Sequence, residues 1–199
     1  MTAENTKKTK EQLFSYIEQN WRQESLSHLR WQLEHDFENL FNRKNMQGHM
    51  TASGLVVDRQ GRFMLINHPY LKSWLVPGGH SEGKEIALIE TAKIEVLEET
   101  GYIVEPVVEA VLDVDTHFIP ENPLKQEGAH YHHDCIFLFS IKDQNFTNRE
   151  LEEKDIKWFK LGKTSPEIFE EFKYNKRLIR VLNKLALHHK LNPQIKKLW

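Results

Sequence analysis

The chain has 199 residues, with 27 Lys and Arg against 29 Asp and Glu, a formal net charge of −2, 39% hydrophobic residues and 28% charged ones. That length suits one well-buried domain plus an extension and excludes two full-sized enzymatic domains, while the near-neutral charge gives no electrostatic footprint for nucleic acid or an anionic membrane, so neither partner is expected. The single cysteine, Cys135, excludes an intramolecular disulfide; with a polar stretch from Met1 to Lys10 and no apolar run of roughly 18 residues, a cytoplasmic protein without signal peptide or membrane span is expected.

Two helical patterns come first. In one, Thr9 is placed as a cap before a stripe of Phe14, Ile17 and Trp21; in the other, Leu26, Leu29, Leu33, Phe37, Leu40 and Phe41 recur at helical spacing between Ser25 and about Arg43. This apolar ridge must be covered, either by packing back on the domain or by a second copy in a homodimer. Asn45 to His49 reads as a linker. From Met50 the period changes to that of strands: Met50–Val57 and Phe63–Asn67 flank the turn residues Asp58-Arg59-Gln60-Gly61. Trp74-Leu75-Val76 is a short strand ended by Pro77, and Gly78 and Gly79 then let the backbone turn or approach a phosphate.

Gly78 to Tyr102 reads GGHSEGKEIALIETAKIEVLEETGY. A helical run in it carries Glu95, Glu98 and Glu99 and stops at Gly101, a C-cap glycine. Residues at i, i+3 and i+4 share a helix face, so the three carboxylates converge beside the apolar stripe of Leu88, Ala92 and Val96. Like charges at that spacing repel by about 0.2–0.5 kcal/mol per pair on an exposed helix. A hard divalent cation turns the repulsion into attraction, and carboxylate oxygens with room for water and phosphate are the surroundings Mg²⁺ or Mn²⁺ prefers. The competing reading of a bare ExxEE triplet is a solvated acidic face.

The stretch resembles the signature of the Nudix hydrolases, G-x5-E-x7-R-E-U-x-E-E-x-G-U with U a bulky apolar residue. Gly79, Glu85, Glu95, Val96, Glu98, Glu99, Gly101 and Tyr102 match it, after a WLVPGG entry from Trp74 to Gly79. Two departures stand out. Nine residues separate Glu85 from Glu95, one more than the signature has, and the arginine position holds Ile94, with Lys93 one place early and about 100° round the helix.

The resemblance implies an α/β fold, an α/β/α sandwich with a mixed sheet, in residues 47–199, and leaves residues 1–46 as a helical extension. It implies Mg²⁺ (or Mn²⁺) held by Glu95, Glu98 and Glu99, with Glu85 orienting or supplementing them. Hydrolysis of a phosphoanhydride in a nucleoside diphosphate linked to another moiety is the activity it implies. A general base is then needed, and one of the helix glutamates Glu95, Glu98 and Glu99, or Glu152, is placed there. Gly78, Gly79, His80, His132 and Asp134 are candidate substrate contacts. Two alternatives stay open: a nucleoside triphosphate pyrophosphohydrolase, and a nucleotide-binding module that has lost turnover, motivated by Ile94 and the extra residue.

Beyond the helix, Ile103–Val114 is one long strand or two joined at Pro106, Pro120–Gly128 is a polar loop, and Ile136–Ile141 and Ile156–Leu161 are strands. Ser165-Pro166-Glu167 opens a C-terminal helical region running to about Lys190 through Phe169, Phe172, Leu178, Val181, Leu182 and Leu185. DVDTHFIP carries Asp113, Asp115 and His117, and AHYHHD carries His130, His132, His133 and Asp134. Along a strand His130, His132 and Asp134 face one way and Tyr131 and His133 the other. Zinc ligation, contacts near substrate phosphates and structural hydrogen bonding all remain open for this cluster. Tyr70, Phe118 and Tyr131 are either base-stacking or packing aromatics.

Overall fold

The computed structural model describes residues 3–68, 72–81, 87–123, 126–144, 156–160, 172 and 175–191. Helix α1 spans Ala3–Gln19 and buries Leu13, Tyr16 and Ile17, an i, i+3, i+4 stripe. Thr9 is therefore no cap: nothing between Ala3 and Thr9 breaks a helix, so Thr9 is an interior residue, itself buried. Trp21 lies beyond the helix end and is 69% exposed, off the stripe it was expected to join.

The second helical pattern is not one helix. A 3₁₀ turn at Glu24–Leu26 leads into α2, Ser27–His35, and a second 3₁₀ turn follows at Phe37–Phe41. The break is at Asp36 (φ −144°, ψ 38°), whose carboxylate accepts hydrogen bonds from Asn39 Nδ2 at 2.6 Å and Asn45 Nδ2 at 3.1 Å. Such local side-chain bonding competes with helix continuation. Leu26, Leu29, Leu33 and Leu40 are nonetheless buried in one core with the sheet. Packing back on the domain is thus how the ridge is covered, and each such leucine contributes about 1.5–3 kcal/mol of burial.

Among the described residues eight strands form one mixed sheet: β1 His49–Val57, β2 Arg62–His68, β3 Ser73–Leu75, β4 Gly78–His80, β5 Tyr102–Pro106, β6 Asp113–Ile119, β7 His130–Gln144 and β8 Ile156–Lys160. The order β3-β2-β1-β7-β5 is its spine, with β4 on β1, β6 on β7 and β8 on β2. Only one of these pairings is parallel, β1 with β7, in register from His49↔His132 to Val57↔Ser140. The valine-rich stretch after Gly101 becomes two separate strands, β5 and β6. The glycine pair, expected as a turn, is itself a strand, with Ser53 opposite Gly78 and Thr51 opposite His80.

Alternation along β1 divides the molecule into layers. Met50, Ala52 and Val56 join Cys135, Phe137 and Phe139 in a core covered by α1, α2 and helix α3, Leu88–Thr100. On the other face Leu55, Val57, Ile136 and Leu138 meet Leu178, Val181 and Leu185 of α4, Lys176–Leu191. The result is an α/β/α sandwich. Among the described residues no helix is long and apolar enough to cross a membrane. The expected helix start at Ser165-Pro166 lies outside the described residues, as does Tyr70.

Candidate active site

Helix α3 buries Leu88, Ala92 and Val96 against the sheet and ends at Gly101, whose φ of 73° is the left-handed conformation a helix C-cap favours. Glu95 and Glu99 flank that stripe and are half-buried, while Glu98 is exposed. Both half-buried carboxylates meet β4. The Gly78 backbone N–H donates to Glu99 Oε2 at 3.0 Å. A Cβ at Gly79 would lie 2.5 Å from Glu95 Oε1, so the missing side chain is the space the carboxylate fills. The two glycines thus form a floor against which two of the three glutamates are laid. An all-oxygen carboxylate set beside close-approaching backbone suits Mg²⁺ or Mn²⁺, so these residues fit the cation that the signature implies.

Ile94 stands on the exposed side of the helix at 38% exposure, so its arginine position leaves no hole in the core. Lys93 Nζ donates to Glu90 Oε1 at 2.7 Å. Glu85 and Glu152 lie outside the described residues.

His80, His132 and Asp134 project from the opposite face of the sheet, with His49, Thr51 and Ser53. Asp134 is fully engaged there: Oδ1 accepts from Thr51 Oγ1 at 2.9 Å, Oδ2 from Ser53 Oγ at 2.9 Å, and Arg177 of α4 forms a close ion pair with it. Its neighbours follow suit. Arg180 Nη2 donates to Asp113 Oδ2 at 2.8 Å and to Asp115 Oδ1 at 2.6 Å, and Lys184 Nζ lies 2.8 Å from Asp113 Oδ1. Burial alone would push the Asp115 carboxyl up, but hydrogen bonds from His117 and Arg180 and the charges of Arg177 and Arg180 outweigh it and hold it well below the usual carboxylate range. Arg177, Arg180 and Lys184 went unnoticed in the sequence, although at i, i+3 and i+7 they mark one helix face.

The histidines gather next to these carboxylates. His132 Nε2 lies 3.2 Å from His80 Nε2 and 3.0 Å from His130 Nε2. His49, read from sequence as linker, is the first residue of β1, 1% exposed, with its ring centroid 4.9 Å from that of His132. Burial pushes His80 down to about 4 and also lowers His49 and His132, with neighbouring imidazoles or Arg43 adding to it. The alternation of Met50, Ala52 and Gly54 with Thr51 and Ser53 was the signal that extends the strand back to His49. His133 points the other way, as expected, and meets Gln32 Oε1 of α2 at 2.6 Å and Thr116 Oγ1 at 2.8 Å.

The family model described as NUDIX domain matches residues 48–188. A protein of Lactococcus lactis subsp. cremoris named "Probable DHNTP pyrophosphohydrolase" is 34% identical over 151 residues, which is 75% of this chain and 86% of the relative. Among solved structures, a NUDIX hydrolase from Nitrosomonas europaea superposes with a TM-score of 0.51 at 17% identity, over 69% of this chain and 88% of that one. A UDP-X diphosphatase superposes with a TM-score of 0.50 at 17% identity, over 92% of this chain and 93% of that one. At such identities the superpositions speak to the fold alone. With a family model over most of its length and the glutamates of α3 laid on the glycines of β4, the chain belongs to the Nudix hydrolase family.

Proposed function

We propose that the protein is a Mg²⁺- or Mn²⁺-dependent pyrophosphohydrolase that cleaves the phosphoanhydride bond of a nucleoside diphosphate linked to another moiety, with Glu95, Glu98 and Glu99 as the metal ligands. The observation that carries this reading is the fixing of two helix carboxylates against Gly78 and Gly79. A bound divalent cation would offset the charge of the diphosphate and make a water more acidic. The chain's own part is orientation. The Gly78 N–H sets the direction of the Glu99 carboxylate, and the absence of a side chain at Gly79 lets Glu95 reach the same edge of the sheet. Glu98 or Glu152 takes the proton of the attacking water, and Glu85 orients the ligands. Residues 1–46 act as a brace, because their leucines share the core that supports α3.

A second reading, hydrolysis of a triphosphate substrate with release of pyrophosphate, is favoured by the name of the Lactococcus lactis relative. The two are told apart by product analysis. Nucleotide sugars, dinucleoside polyphosphates, CDP-alcohols, ADP-ribose, nucleoside triphosphates and DHNTP are incubated with Mg²⁺ or Mn²⁺, and the products identified by mass spectrometry. Two phosphomonoesters from a diphosphate derivative support the first reading, and pyrophosphate from a triphosphate supports the second. Ligand binding with neither product would make the chain a binding module.

A further inference from the structure

We propose that His49, His80 and His132 form a second metal site, for a divalent transition ion of the zinc class, on the face of the sheet away from the glutamates of α3. One nitrogen from each ring lies within 4.8 Å of the other two. The three side chains come from three strands already fixed by pairing: His49 stands directly opposite His132, and His80 opposite Thr51 on the other side of β1. Their Cα positions are therefore set before any ion arrives, which is what a pre-organised site requires.

Hydrogen bonding within the cluster leaves a surplus of lone pairs. His49 Nδ1 faces the Asn45 carbonyl at 3.1 Å, and a carbonyl only accepts, so the ring hydrogen is on Nδ1. The lone pair is then on His49 Nε2, which is buried and has no hydrogen-bond partner among the described residues. His130 repeats the pattern, with Nδ1 at 2.7 Å from the Gly128 carbonyl and Nε2 turned to His132. His132 Nε2 carries at most one hydrogen, yet stands between two other imidazole nitrogens. Neutral rings cannot satisfy all of these atoms. Protonation would supply hydrogens, but it would place positive charge among buried imidazoles, where burial and the Arg43 charge oppose it and only Glu127 favours it among the groups acting on His80.

A cation relieves the conflict at His49, His80 and His132, because it accepts several lone pairs at once. Neutral imidazoles favour zinc and its neighbours over Mg²⁺, which prefers oxygen. Tetrahedral zinc at its usual Zn–N length separates ligand nitrogens by roughly 3.3 Å. His80 and His132 already meet that distance at 3.2 Å, and His49 needs a movement on the order of 1 Å. The Asn45 carbonyl on His49 is the outer partner that ligating histidines characteristically have. The site is distinct from the glutamates although His80 follows Gly79 directly, since neighbouring strand residues face opposite ways.

The test uses tag-free full-length protein stripped with a chelator and titrated with Co²⁺, then Zn²⁺. One equivalent of Co²⁺ is expected to give the intense visible bands of a tetrahedral nitrogen site, displaced by Zn²⁺. His80→Asn and His132→Asn should each weaken binding by about a hundredfold or more and abolish the bands, since each removes a ligand. Glu99→Gln should keep them. In the unsubstituted protein, Zn²⁺ should shift the imidazole NMR resonances of His49, His80 and His132 together. The proposal is overturned if the wild type takes up no stoichiometric Co²⁺, if the bands survive both histidine substitutions, or if Glu99→Gln alone removes them. None of these outcomes depends on turnover.

Discussion

The carboxylate of Glu95 occupies the place where a side chain at residue 79 would stand, 2.5 Å from an ideal Cβ. The contact is with the far end of a flexible side chain, so the fold can accept an alanine there while the carboxylate cannot stay. Gly79→Ala is expected to lower kcat by about ten- to a hundredfold, the range for loss of a positioning interaction, with little change in the urea midpoint. Gly78→Ala is the contrast. There the Cβ would meet the Ala52 carbonyl oxygen at 2.8 Å and the Ser53 Cβ at 2.7 Å. Backbone must shift, so a loss of about 1–3 kcal/mol of stability is expected from urea unfolding. Equal stability of the two variants would contradict this account of the floor.

Asp113 is completely buried and joins both terminal helices: Tyr16 of α1 donates to its Oδ1 at 2.7 Å, while Arg180 and Lys184 of α4 surround it. Removing Arg180 leaves a buried carboxylate with fewer partners. Arg180→Ala is expected to cost about 3 kcal/mol by urea denaturation, the lower end for breaking a buried pair, because Lys184 and Tyr16 remain. A change below half that value would show that α4 is held by its apolar face alone.

Acidification probes the same network. The folded pKa of Asp115 lies below its unfolded value, so the unfolded chain binds the proton more readily. Its contribution is present above the unfolded carboxylate value, about pH 4, and is lost as pH falls through the folded pKa. Unfolding monitored by circular dichroism should therefore show wild type losing more stability below pH 4 than Asp115→Asn does. Parallel acid curves would rule out the network as the cause.

Cys135 has no exposed surface, and burial pushes its thiol up, with the Asp113 charge adding to it. The thiolate is the reactive form. Native protein at pH 8 should react with a disulfide reagent only as fast as it unfolds, and in urea one thiol per chain should react at once. Rapid reaction without denaturant would mean that the sheet opens locally around β7.

Much of this was legible in the sequence, because the determining patterns were local. The glutamates of α3, its stop at Gly101 and the strands at residues 50–57 and 63–67 rest on spacing and turn residues within a few positions of one another. What escaped depended on partners far along the chain. Nothing local says that β1 and β7 pair in parallel, yet that register alone sets His49 against His132. Gly78 and Gly79 read as a turn because glycine disfavours strands, yet they form β4 through pairing with Ser53 and Ala52 of β1, a partner more than twenty residues away. The helix expected through Arg43 breaks at Asp36, where Asn39 and Asn45 capture the carboxylate.

The central claim is that turnover runs through the helix carboxylates fixed on Gly78 and Gly79. It is tested most directly by the Mg²⁺-dependent kcat of wild type against Glu99→Gln on whichever phosphoanhydride substrate the product analysis identifies. The account predicts a fall of about a hundredfold or more with the fold intact. Equal rates in the two proteins, or no cleavage by wild type of any panel member with either metal, would contradict it.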